Sequence, residues 1–127
     1  MNPILRTAVI AVGLLNIGLG LAFLVRPEFM ASQFFISAIG SQGLATIRAD
    51  FTGFFLATGG FALWGGWQQR AEPLLVPIVL LGIAFVGRTV SLLLDGIGPQ
   101  AFPPMIAEAV MVGILVAARR SLGASRR

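Results

Sequence analysis

The sequence predicts an all-α integral membrane fold, a four-helix bundle with both termini cytoplasmic. Three observations carry that prediction. First, 57% of the 127 residues are hydrophobic and the mean hydropathy is +0.91, whereas soluble domains are roughly 45–50% apolar even with glycine included. Second, four apolar stretches, residues 4–25, 44–67, 74–94 and 102–118, fall in the range of about 17–25 residues that crosses a bilayer. Third, the arginines are unevenly shared between the two ends that such crossings create. Residues 1–120 read as one bundle domain and residues 121–127 as a basic tail.

Composition removes many chemistries. The chain has no Cys, His, Tyr or Lys. Disulfides, thiolate or imidazole metal sites, Ser-His nucleophiles and Lys Schiff bases are therefore excluded, and no metal or cofactor is expected. The net charge of +4 is concentrated in Arg119, Arg120, Arg126 and Arg127. That cluster fits a topology signal better than a nucleic-acid surface, because no aromatic residues interleave with it.

Taken in order, the first span follows Arg6. Its apolar run is longer than the roughly 7–15 residues of a signal-peptide core, and no A-x-A site follows, so a retained helix is expected. Arg6, Val9, Gly13, Asn16 and Gly20 recur at helical spacing and share a face. Gly13 and Gly20 would admit a neighbouring helix, and Asn16 would hydrogen-bond near mid-membrane. Pro27 stops the span. Residues 27–43 mix Phe29, Phe34, Phe35 and Ile39 with Ser and Gln. They read as an interfacial helix, with a lid over the bundle as the alternative.

The second span carries Arg48 and Asp50 in its first turns, with Gly53, Ala57 and Gly60 as an expected small-residue seam and Trp64 and Trp67 at the far interface. A short loop, 68–72, makes the third span its antiparallel neighbour. Arg88, Ser91 and Asp95 line one face of that third span, and Asp95-Gly96-Ile97-Gly98-Pro99 is a turn. The fourth span opens on Pro103 and Pro104 and holds Glu108. Its basic sequel, 119–127, reads as frayed.

Four crossings put both termini on one side with Arg6, Arg70, Arg119, Arg120, Arg126 and Arg127, while the opposite loops hold only Arg26. The positive-inside rule makes the first side cytoplasmic, in an inner membrane. At a rise of about 1.5 Å per residue, Arg48, Asp50, Arg88 and Glu108 all lie roughly 6–9 Å below the outer boundary, with Asp95 at the rim. An ionised residue at mid-membrane costs about 2.5–3.5 kcal/mol on an insertion scale. The expectation is therefore that Arg48 and Arg88 pair with Asp50 and Glu108 inside the bundle.

The series Arg48-x-Asp50-Phe51-x-Gly53, Gly59-Gly60, Gly87-Arg88-x-x-Ser91-Leu92, Asp95-Gly96 and a lone Glu108 resembles the domain of unknown function 4345 family, over about residues 4–118. That family is similar to the DoxX-like group of small four-helix membrane proteins. The resemblance implies a four-helix bundle with Arg48, Gly53, Arg88 and Glu108 as signature positions, and it implies no activity. DoxX-like relatives are linked with oxidase subunits, and wider relatives with sterol binding or isomerisation, by fold-level analogy.

Function is read in this order. A buried charge cluster can be an internal clamp in an accessory or assembly partner, acting with another membrane protein or as a homo-oligomer. It can instead be the polar end of a pocket for a quinone, sterol-like or isoprenoid ligand, with Asn16 as its floor. A lipid isomerase using Asp50 or Glu108 as acid or base stands behind both. A proton-coupled transporter is last, because no broken helix or inverted repeat is visible.

Overall fold

The computed structural model describes residues 1–126, and Arg127, counted above in the basic tail, lies outside the described residues. Helix α1 spans Pro3–Val25, α2 Pro27–Gln33, α3 Gly40–Gln68, α4 Leu75–Leu94 and α5 Phe102–Ala124, with a single 3-10 turn at Pro99–Ala101 before α5. No strand occurs among the described residues.

Local chemistry sets each boundary. Asn2 caps α1 by accepting from the Leu5 N–H at 2.7 Å, and Pro3 occupies a first-turn position where no N–H is needed. Pro27 then ends α1 and starts α2. The chain reverses through Phe35 and Gly40, both at positive φ. Proline-free α3 runs for 29 residues to Gln68, and the left-handed conformation of Gln69 closes it. Gly96, also at positive φ, turns the chain out of α4. Pro103 and Pro104 sit in the first turn of α5, where their missing N–H groups cost nothing.

The long helices run alternately up and down. The N-terminal turns of α1 meet the end of α3, since Arg6 donates to the Gly66 and Trp67 carbonyls at 3.3 and 3.1 Å. At the same end Arg126, just past α5, pairs with Glu72 in the α3–α4 loop. Both ends of the described chain therefore share one end of the molecule.

Helices α1 and α3 form the closest pair. A Cβ on Gly59 would stand 2.6 Å from the Gly13 carbonyl oxygen and 2.6 Å from the Ile17 nitrogen, and one on Gly13 would stand 2.8 Å from the Leu63 nitrogen. Gly20 lies as tightly against Leu56, and Gly66 against Val9. The Gly13 and Gly59 contacts are backbone approaches that only glycine permits, while Gly20 and Gly66 meet chiefly the side chains of Leu56 and Val9. The seam expected on α3 is thus corrected. Gly53 and Gly60 are exposed with open space beside them, Ala57 is half-buried, and Gly59 and Gly66 make the contact. One residue along a helix turns the face by about 100°, so reading the seam from Asp50 selected the neighbouring stripe.

Two apolar cores flank the middle of the bundle. One, at the end bearing the termini, holds Val9, Val12, Ala62, Leu74, Leu115 and Ala118. The other gathers Phe23, Ile47, Phe55 and Ala31 of α2. The outer surface is also apolar: Ile83 is 65% and Leu93 78% exposed. Helices α1, α4 and α5, the last counted from Pro99, are long and apolar enough to cross a membrane. Helix α3 is not among them, since Arg48, Asp50 and many Gly, Ser and Thr residues dilute its hydropathy.

Two boundaries differ from expectation. Residues 119–124 continue α5, with Leu122 buried in the core, so the tail expected to fray is helical to Ala124. Residues 40–43 belong to α3, which leaves a short α2 and a turn in the connecting segment.

Candidate functional site

Helices α4 and α5 are joined by a tight turn, and that hairpin brings Arg88 opposite Glu108. The Arg88 Nε donates to Glu108 Oε1 at 2.9 Å. The Glu108 side chain is 10% exposed and that of Arg88 35%. Glu108 Oε2 is buried and has no partner. On α1, Asn16 is fully buried. Its Nδ2 donates to the Val12 carbonyl at 2.8 Å and lies 3.5 Å from the Met111 sulfur. That backbone bond orients the amide, because a flipped amide would set two oxygens against each other. Asn16 Oδ1 therefore faces away from Val12, and it too has no partner.

These groups share one cavity of about 520 Å³, set between the α1–α3 pair and the α4–α5 hairpin. Its wall includes Asn16, Asp50, Arg88 and Glu108, and the rest is apolar, with Leu19, Phe51, Phe54, Leu81 and Met111 prominent. Phe34, just after α2, also lines it. Phe34 packs there against tilted aromatic neighbours, 5.4 Å from Phe23 and 5.9 Å from Phe55 between ring centroids. An apolar chamber with a few polar groups is the usual form of a small-molecule site.

Arg48 does not join this cluster. Its Nε donates to the Leu24 carbonyl at 3.2 Å, at the end of α1, where carbonyls lack intrahelical partners. A cation there also meets the negative end of the helix dipole. This corrects the expected pairing of Arg48 with a carboxylate. Arg6 does the same for α3, so each antiparallel helix supplies an arginine that caps the other. Sequence reading missed this reciprocity, because an arginine near the start of one helix gives no sign of which helix end it will reach.

Asp50 stands in the cavity wall, exposed and outside the ion pairs formed among the described residues. Ser91 is half-buried one turn beyond Arg88, and Asp95 is exposed at the end of α4, where its backbone N–H donates to the Ser91 carbonyl; neither is in the cavity wall. Thr58, fully buried on α3 with an unpartnered hydroxyl, is a further buried polar group that the charge-based reading passed over.

The Domain of unknown function (DUF4345) family model matches residues 4–119. No curated protein and no solved structure matches the chain. A match over nearly its whole length, carried by the helices that build the cavity, makes this chain a member of the DUF4345 family.

Proposed function

We propose that this protein is a four-pass inner-membrane protein with cytoplasmic termini that binds a lipid-like molecule between its two helix hairpins. The observation that carries the reading is the cavity of about 520 Å³ with an ion pair in an otherwise apolar wall. Its size lies within the roughly 300–1,000 Å³ typical of small-molecule sites. An amphiphile would place its apolar body against Phe51, Phe54 and Leu81 and its head beside Arg88 and Glu108.

Counting α3 as the fourth crossing follows from its pairing. It is 29 residues long, about 43 Å at 1.5 Å per residue, and it packs antiparallel to α1, which has the hydropathy of a span. Of its polar residues, Arg48 caps α1, Thr58 is buried, and Asp50 stands in the cavity wall. The arginine bias supports a cytoplasmic position for the end holding Arg6, Arg70, Arg119, Arg120 and Arg126.

The competing role, an accessory or assembly partner held together by a charge clamp, draws on the same Arg88–Glu108 bond. A clamp alone gives no reason for a large void beside it, since protein interiors pack as densely as organic crystals. Native mass spectrometry after gentle extraction into nanodiscs separates the two. The expected spectrum contains a lipid adduct that is lost in Ala84→Trp, which fills the cavity from its wall. A bare protein mass in the wild type would defeat the binding reading and leave the accessory role.

A further inference from the structure

We propose that the cavity selects a head group that donates a hydrogen bond, a hydroxyl on an apolar lipid, over a head that can only accept. The inference rests on the lipid-binding reading and specifies its ligand. Its basis is the polarity of what the wall leaves unsatisfied. Asn16 Oδ1 and Glu108 Oε2 are both buried without partners, in residues that line the same cavity. Both are acceptors. The Val12 carbonyl fixes which end of the Asn16 amide is oxygen, and Arg88, a permanent cation, sits on the other oxygen of Glu108.

Unpartnered buried polar groups are rare, and each calls for an explanation. Two acceptors left over in one chamber call for a donor. A hydroxyl supplies one hydrogen to either of them. Its oxygen can in turn accept from the Arg88 Nη groups, since Arg88 bonds Glu108 through Nε. A ketone, ester or ether head also accepts from Arg88 but leaves both protein acceptors orphaned. Leaving a buried acceptor unpaired carries a desolvation penalty that corresponds to about tenfold or more in affinity.

The test is an internal competition between farnesol and farnesyl methyl ether, which share an apolar chain and differ in the donor. Both are titrated together into the full-length protein in nanodiscs, and the two adducts are resolved by mass. Farnesol is expected to bind about tenfold more tightly. Glu108→Gln puts an amide donor in place of one orphaned oxygen and Asn16→Leu removes the other, so either change alone leaves one acceptor and keeps the preference, whereas the double variant should lose or invert it. Asn16→Leu with Glu108→Met also removes both acceptors and covers the case in which the first double variant fails to fold. Equal wild-type affinity for the two probes overturns the donor inference while leaving lipid binding intact. A preference kept in a folded double variant overturns it as well. Failure of both probes to bind overturns it together with the lipid-binding reading.

Discussion

Two adjacent glycines give a sharp test of how α1 and α3 meet. In Gly59→Ala, the new Cβ would stand 2.6 Å from both the Gly13 carbonyl oxygen and the Ile17 nitrogen, and 2.8 Å from the Ile17 side chain. The first two are backbone atoms and cannot rotate away. The helices must separate along the seam that also holds Gly13 and Gly20. Overpacking of this kind costs about 1–3 kcal/mol. In Gly60→Ala the Cβ meets nothing within 4 Å. Both changes gain the same helix propensity, up to about 1 kcal/mol, so that gain cancels in the comparison. The two variants should therefore differ by about 2 kcal/mol, roughly a thirtyfold change in the folding equilibrium. Equilibrium unfolding by sodium dodecyl sulfate in mixed micelles measures it. Equal midpoints for the neighbouring variants would refute the seam and the close approach of α1 to α3.

The remaining predictions concern charge and topology. Glu108→Gln keeps an acceptor for Arg88 but removes its counter-charge. With Arg88 35% exposed in its side chain, the loss should be about 1–2 kcal/mol rather than the larger cost of a sealed pair, and an unchanged melting midpoint in detergent would defeat the pairing. Single cysteines, introduced into a chain that has none, test orientation: Gln100→Cys should react with a membrane-impermeant maleimide in intact spheroplasts and Ser125→Cys should not, and the reverse pattern would invert the topology. Outside the spans, the backbone N–H of Glu72 holds its carboxyl below the ordinary value of 4.5, against an opposing desolvation contribution, and Arg126 and Arg70 lower it further. A lowered folded-state pKa means the stabilising contact is present above 4.5 and is lost as the pH falls through the folded value. A spin label at Gly123→Cys should therefore become more mobile on acidification and should already be mobile at neutral pH in Glu72→Gln. Identical spectra for the two proteins at neutral pH would show that the tail is held by something else.

Much of this protein follows from the chain alone. Apolar stretches bounded by Pro27, Pro73 and the Pro99–Pro104 region mark out the long helices, because proline lacks an N–H and glycine at positive φ ends a turn; neither effect needs a neighbour. The family, too, is legible in the linear series from Arg48 to Glu108. That Arg88 and Glu108 come together follows from a tight turn between two apolar helices, which makes them antiparallel neighbours. Partner choice across helices is different. Which stripe of α3 meets α1 depends on a rotation of about 100° per residue, too fine for composition to resolve, so Gly59 rather than Gly60 carries the seam. Arg48 turns to the Leu24 carbonyl rather than to a carboxylate, because the free carbonyls at the end of a neighbouring helix lie within its reach, and only the packed arrangement reveals that. The cavity and its two unpaired acceptors exist only once both hairpins stand beside each other. A void is a property of the space between surfaces, which no single stretch of sequence contains.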